Sequence, residues 1–236
     1  MDTWLRFVLM LIAGYLLGSV PLSYLTGRAR GVDIKKQGTQ QVGAGNLWRT
    51  TSRKLGLFVG IYDFLKGMLV VYIAKIAGLD AGLQLLAGIA VIVGHNWPVF
   101  LRFHGGRGIA TALGLIIIMP SLNYATVSAR PTIIFFAVAV AVLIVVRRTP
   151  VPILFGLVSL PITSAIVRDP LPLIMGYAVL VLIVIIKRLT AQSATEEVLK
   201  KGMGTLLLNR FLFDRDISDR SAWVHRKHLP DKEITE

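Results

Sequence analysis

The sequence contains no cysteine in 236 residues, which excludes thiolate catalysis, disulfides and thiolate metal sites but says nothing about redox compartment. Histidine is almost as scarce: four residues, scattered along the chain, predict no metal centre and no cofactor. Charge is thin too, at 17% Asp, Glu, Lys and Arg against about 25% in soluble domains. Apolar residues fill the place of the missing charge, at 54%, and the mean hydropathy is positive. A soluble domain is excluded by this balance, and a membrane protein is indicated.

A membrane-spanning helix needs about 20 apolar residues, because its backbone must satisfy its own hydrogen bonds in hydrocarbon. Seven runs qualify, near 5–26, 55–77, 82–100, 108–122, 130–146, 151–167 and 170–187. The expected fold is an all-α integral membrane protein of about seven transmembrane helices, occupying 1–190, with a charged tail over 191–236. The later runs are short, and Pro150, Pro152, Pro161, Pro170 and Pro172 punctuate them, which leaves partial re-entry or tight helical hairpins open. The first run continues through Gly18-Ser19-Val20-Pro21 without a small-x-small cleavage site, so an uncleaved span is expected there.

Basic residues set the orientation. Arg28, Arg30, Lys35, Lys36, Arg49, Arg53 and Lys54 lie between the first two runs, Arg102 and Arg107 between the third and fourth, and Arg147 and Arg148 between the fifth and sixth. All three connections fall on one side, as do Arg188, Lys200 and Lys201 after the last run. The opposite side carries little beyond Lys75, Arg130 and Arg168. The positive-inside rule puts the amino terminus outside and the tail in the cytoplasm. The net charge of +13 is therefore topogenic, and no basic–aromatic pattern accompanies it, so nucleic acid is not an expected partner.

Two loops on that basic side are rich in glycine. His95 to Thr111 reads HNWPVFLRFHGGRGIAT, in which Gly105, Gly106 and Gly108 bare backbone N–H groups around Arg107 where a helix begins. Such an arrangement suits phosphate, although an ordinary positive-inside turn would carry the same charge. It is not a P-loop, since the Lys-hydroxyl pair is missing. The first loop, Gly38 to Arg49, offers Thr39 and Asn46 as neutral partners, Gly43 as open backbone and Arg49 as a bidentate cation. Asp63 and Lys66 share a helix face in the second run and should neutralise each other, either to fasten helices or to serve a site. His95 and Ser19 each admit a packing role or a substrate contact.

Gly18-Ser-Val-Pro21, Gly38 to Arg49, Asp63-Phe-Leu-Lys-Gly67 and above all Gly94-His95 through Gly105-Gly-Arg-Gly-Ile-Ala-Thr-Ala-Leu-Gly114 resemble the bacterial acyl-phosphate:glycerol-3-phosphate acyltransferases, the PlsY family. The resemblance implies a multi-pass enzyme of the bacterial plasma (inner) membrane, with its site facing the cytoplasm. Its substrates would be acyl phosphate and glycerol 3-phosphate within the lipid bilayer, and its products lysophosphatidic acid and phosphate, in phospholipid biosynthesis. By motif position, Arg49 and Arg107 become the catalytic cations, and Ser19, Thr39, Gly43, Asn46, His95, Gly105, Gly106, Gly108 and Thr111 bind substrate or phosphate. Asp63 and Lys66 are a structural or substrate-positioning pair.

Several positions depart from that pattern. Arg107 replaces a lysine, Thr39 a serine, and Gln40-Gln41 a glycine-asparagine pair. Arg147-Arg-Thr-Pro-Val-Pro-Ile153 lacks the family's serine, and Lys187-Arg-Leu-Thr-Ala-Gln-Ser193 lacks its histidine and asparagine, with Gln192 or Ser193 as partial substitutes. A transporter of a phosphorylated solute and a catalytically silent lipid-phosphate-binding relative are the alternatives. In the tail, Glu196 to Lys201 suits a short helix. Met203 to Phe213 is apolar enough to lie along the inner leaflet with Arg210 and Arg215 at anionic headgroups, or else extends into solvent. No feature of the sequence addresses oligomeric state.

Overall fold

The computed structural model describes residues 2–147, 150–190 and 202–224. Among them every regular element is helical: α1 (Thr3–Ser19), α2 (Leu22–Ala29), α3 (Ala44–Thr50), α4 (Arg53–Ile76), α5 (Ala81–Asn96), a 3₁₀ turn at Val99–Leu101, α6 (Ile109–Leu122), α7 (Arg130–Val146), α8 (Pro150–Ile166), α9 (Leu171–Leu189), α10 (Met203–Phe213) and α11 (Arg220–Val224). The first apolar run, expected as one helix, is broken. Pro21 has no N–H to donate and drives Val20 into an extended conformation, φ −64° and ψ 110°, so α1 ends one residue before it. A second difference is α3, a helix of seven residues inside what the glycine content suggested was a loop.

Thr3–Ala29, α4, Ala81–Leu101 and α9 are long and apolar enough to cross a membrane, whereas α6, α7 and α8 are apolar but shorter. Their arrangement rests on close backbone contact. In α1, Gly18 lies against the Val91 carbonyl of α5, and in α5, Gly94 lies against the Tyr15 carbonyl of α1. In α4 and α6 the pair is Gly67 against the Thr111 carbonyl and Gly114 against the Phe64 carbonyl. Small residues facing each other's carbonyls allow dispersion contact where hydrocarbon provides no hydrophobic drive between helices. The α7–α8 hairpin packs Gly156 onto the Phe135 ring. Leu85, Ile92, Leu115, Met119, Phe135, Leu157, Leu160 and Tyr177 form the main core, while large apolar side chains such as Leu65, Leu69, Ile144, Leu182 and Ile186 face outward, as a lipid-contacting surface requires.

The two ends of the bundle differ. At one end Lys75 Nζ donates to Asn123 Oδ1 at 2.9 Å, Asn123 Nδ2 to Gln84 Oε1 at 2.7 Å, and Gln84 Nε2 to the Leu79 carbonyl at 2.6 Å. Asp169 accepts there from the Ser128 amide at 3.0 Å and from Ser164 Oγ at 2.7 Å. The opposite end carries both glycine-rich segments and the tail. Helix α10 rests on α8 and α9, and its Arg210 turns inward, donating to Asp216 Oδ1 at 2.6 Å and the Leu189 carbonyl at 2.8 Å. Arg215 is buried as well. Neither arginine reaches for headgroups: Arg210 is engaged by a carboxylate and a carbonyl of the protein, and Arg215 lies buried, its guanidinium 5.5 Å from the centre of the Phe213 ring. Gln192, Ser193 and Glu196 to Lys201 lie outside the described residues.

Candidate functional site

Asn46 organises the first segment. Its Oδ1 accepts from the Thr39 amide at 2.9 Å, and its Nδ2 donates to the carbonyls of Ile34, Gln37 and Gln41 at 2.8, 3.0 and 3.1 Å. One side chain thus holds the irregular backbone from Ile34 to Gln41 in place, and Thr39 is buried beneath it. Gly43, just before α3, has extended backbone, and a Cβ there would meet nothing within 4 Å. Arg49, near the end of α3, donates Nη1 to the Gly45 carbonyl at 2.8 Å. It stands on a cavity of about 530 Å³ whose other walls include Ala44, Trp48, Leu57, Ile61, Phe64 and Leu113. This groove between α3, α4 and α6 is apolar along its length, with one cation on its lining. Leu57 and Ile61 are exposed to the side, so the groove opens toward lipid.

Beside it, three helices, α1, α4 and α5, converge on a buried cation. Lys66 Nζ sits 2.8 Å from Asp63 Oδ1, 2.9 Å from His95 Nδ1 and 3.3 Å from the Gly18 carbonyl. His95 is therefore the third member of the Asp63–Lys66 pair. The Lys66 and Asp63 side chains are 1% and 7% exposed, a burial that only mutual neutralisation makes tolerable. The imidazole's other nitrogen faces Gly106, whose amide donates to the His95 carbonyl at 3.0 Å. A Cβ at Gly106 would overlap both His95 Nε2 and the Val42 carbonyl, so the two glycine-rich segments touch at this point. Ser19, Asp63, His95, Gly105 and Gly106 line a cleft of about 10 Å³, room for roughly one water. Ser19 Oγ, and Thr111 Oγ1 farther along α6, are buried without a hydrogen-bond partner among the described residues. Gly108 has φ 67°, a left-handed conformation that suits glycine.

Arg107 points elsewhere. Its guanidinium pairs with the Asp214 carboxylate and also donates to the Asp214 carbonyl, in the turn after α10, and lies 5.7 Å from the centre of the Trp223 ring. Burial pushes Arg107 down to about 10, with Asp214 opposing. Burial likewise raises the Asp214 carboxyl above its ordinary range, and Arg107 and Arg188 oppose that shift. Lys187 Nζ donates to the Asn96 carbonyl at 2.5 Å, and Arg188 donates to the carbonyls of Phe211 and Pro150 at 2.9 and 2.7 Å.

Lys187, Arg188, Asp214 and Asn96 were not expected in the site. Two buried cations closing an apolar run were the available signal for the first two. Asn96, wholly buried with both side-chain polar atoms unpartnered among the described residues, carries no such mark in sequence. The arrangement is that of an apolar helical bundle with buried cations clustered at one end and a lateral apolar groove beside them.

Comparisons with known proteins agree. The model of the glycerol-3-phosphate acyltransferase family matches residues 8–196. Glycerol-3-phosphate acyltransferase 4 of Dehalococcoides mccartyi strain CBDB1 is 38% identical over 96% of this chain and 97% of its own. Glycerol-3-phosphate acyltransferase 5 of strain 195 of that species is 36% identical over 97% of each. The crystal structure of PlsY (YgiH), an integral membrane glycerol 3-phosphate acyltransferase, in its glycerol 3-phosphate form superposes with a TM-score of 0.68 and 27% identity, covering 87% of this chain and 94% of that one. Its lysophosphatidic acid form gives 0.66. The chain belongs to the glycerol-3-phosphate acyltransferase family and is an integral membrane protein.

Proposed function

We propose that this protein transfers a fatty acyl group from acyl phosphate to the 1-hydroxyl of glycerol 3-phosphate, releasing lysophosphatidic acid and phosphate. The observation that carries the proposal is the laterally open apolar groove with Arg49 on its lining, which fits an acyl chain whose phosphorylated end lies at the polar segments. Acyl phosphate is a mixed anhydride, already activated, so the protein need only hold two phosphates, align the hydroxyl and stabilise the tetrahedral oxyanion. The hydroxyl oxygen bonds to the acyl carbon, the bond from that carbon to the phosphate oxygen breaks, and the hydroxyl proton leaves to a phosphate oxygen. Arg49 and Arg107 serve as phosphate cations, with Thr39, Gly43, Ser19 and Thr111 as neutral contacts. The Asp63–Lys66–His95 cluster keeps the two glycine-rich segments in register.

Residues 1–190 form the catalytic domain in this proposal. They cross the bacterial inner membrane seven times, with the amino terminus outside and the site on the cytoplasmic face, as the distribution of basic residues supports. The test is a radiolabelled glycerol 3-phosphate assay in membranes lacking the host's own acyltransferase. Lysophosphatidic acid is expected with palmitoyl phosphate as donor, with none from acyl-coenzyme A and no loss on chelation of metals. Product no higher than that of an Arg49→Ala control would leave a silent lipid-phosphate-binding relative.

A further inference from the structure

Three cations gather under the tail. Arg107, Lys187 and Arg188 all lie close enough to Asp214 to act on its charge. Against them stand Asp214 and, also acting on Arg107, Asp216, which Arg210 engages as well at 2.6 Å. Counting Arg210, four positive charges against two negative leave a local excess of two in a largely water-excluded place, where each charge needs a counter-charge. The hydrogen bonds at this spot are incomplete as well. Arg107 Nε and Arg188 Nε are buried with no acceptor among the described residues, and Asp214 binds Arg107 through one carboxylate oxygen and its carbonyl. Asp214 Oδ1 is likewise buried without a donor among the described residues, so the pairing with Asp214 leaves polar atoms unfilled on both sides. In place of the Asp214 carboxylate, a phosphate monoester, with a charge near −2 and three terminal oxygens, brings more negative charge and more acceptors to the three cations.

Both terminal nitrogens of Arg107 are engaged by Asp214, so a bidentate grip on phosphate requires Asp214 to leave. Asp214 occupies the turn after α10 at φ 57°, a left-handed conformation uncommon outside glycine, though Asp and Asn are among the residues that adopt it. That turn is where the tail reverses to bring Trp223 over the same guanidinium. We propose that the segment Met203–Val224 is a cap whose Asp214 carboxylate holds the phosphate position on Arg107, Lys187 and Arg188, so that a phosphate monoester and the tail compete for one three-cation site. The proposal deepens the acyltransferase reading and rests on it for the source of the phosphate. Helix α10 then lifts from α8 and α9 when substrate binds, and returns when product leaves.

The experiment exploits the absence of native cysteine. Leu206, 3% exposed, faces inward on α10, so Leu206→Cys in the otherwise unaltered full chain, reconstituted in nanodiscs, reports lifting through its rate of maleimide labelling. Inorganic phosphate, glycerol 3-phosphate and lysophosphatidic acid are added separately to identify which phosphate opens the cap. The expected result is labelling accelerated by about tenfold at saturation, a common size for coupling between two ligands. Asp214→Asn, nearly isosteric, should label fast without ligand and bind phosphate about tenfold more tightly, whereas Asp214→Glu should stay closed. Labelling that ignores all three phosphates and residue 214 overturns the cap, even if acyl transfer is normal. Weaker phosphate binding by Asp214→Asn overturns it too, since Asp214 would then position Arg107 for substrate. Phosphate-dependent labelling with no acyl transfer in any variant supports the cap and removes the acyltransferase reading alone.

Discussion

Gly43 and Gly106 stand in similar glycine-rich strings but meet different surroundings, and a methyl group separates them. At Gly106 it would collide with His95 and the Val42 carbonyl, while at Gly43 it meets open space. Gly106→Ala should therefore cost about 1–3 kcal/mol by overpacking and abolish most turnover, whereas Gly43→Ala should remain within about 0.5 kcal/mol of the parent. Thermal unfolding in detergent measures both. Should Gly43→Ala also raise the apparent requirement for substrate, its backbone approaches a ligand; unchanged kinetics would make Gly43 only a hinge into α3. At Lys66 the expectation is larger. Lys66→Met leaves Asp63 buried beside an imidazole alone and should cost about 3–5 kcal/mol, with Asp63→Asn added to it recovering part of the loss. No recovery in the double variant would show that the cation matters for its bonds to His95 and Gly18 rather than for charge. The spacing of Asp63 and Lys66 along one helix made their pairing legible in sequence. His95, 29 residues away, joins them only through tertiary packing.

At the scale of elements, the α1–α5 seam is the most sensitive place. Gly94→Ala drives a Cβ into the Tyr15 carbonyl, and backbone cannot step aside as a flexible side chain can. The helices must separate, so a loss of about 1–3 kcal/mol is expected, measurable as a lower unfolding temperature; an unshifted midpoint would mean the seam is slack. Hydropathy made α4, α5 and α9 legible, because long apolar runs can satisfy their backbone only as helices. The break at Val20 was written in Pro21 but hidden by the apolar residues around it. Helix α3 was not legible, since Gly43-Ala-Gly45 argues against a helix and what holds it is the set of bonds Asn46 makes to residues before it. The seat of α10 on the bundle depends on partners such as Arg107 and Asp214, 107 residues apart, for which no local period exists. Only the apolar stripe of that helix could be read, and it suits a protein face as well as a lipid one.

The whole molecule has two unlike ends, and sidedness tests which faces the cytoplasm. Gln37 and Ala125 are exposed at opposite ends, so an impermeant maleimide added to intact cells should label Ala125→Cys and spare Gln37→Cys. Labelling of residue 37 alone would invert the orientation. Helix α6 adds a consequence for the surrounding lipid. With 14 residues it is about 21 Å long at ~1.5 Å per residue, well short of a hydrocarbon layer about 30 Å thick. It also forms part of the groove wall through Ala110 and Leu113. On the proposed function, hydrophobic mismatch at that wall should draw the nearby leaflet down into a dimple, so that the polar head of a donor lipid sinks with it toward Arg49. Reaching the donor is then a matter of bending the membrane as well as binding a molecule. In vesicles of short-chain lipid the dimple already matches the resting thickness, so acyl transfer should run faster there than in long-chain vesicles at equal protein, and each added pair of methylenes in the host lipid should slow it further.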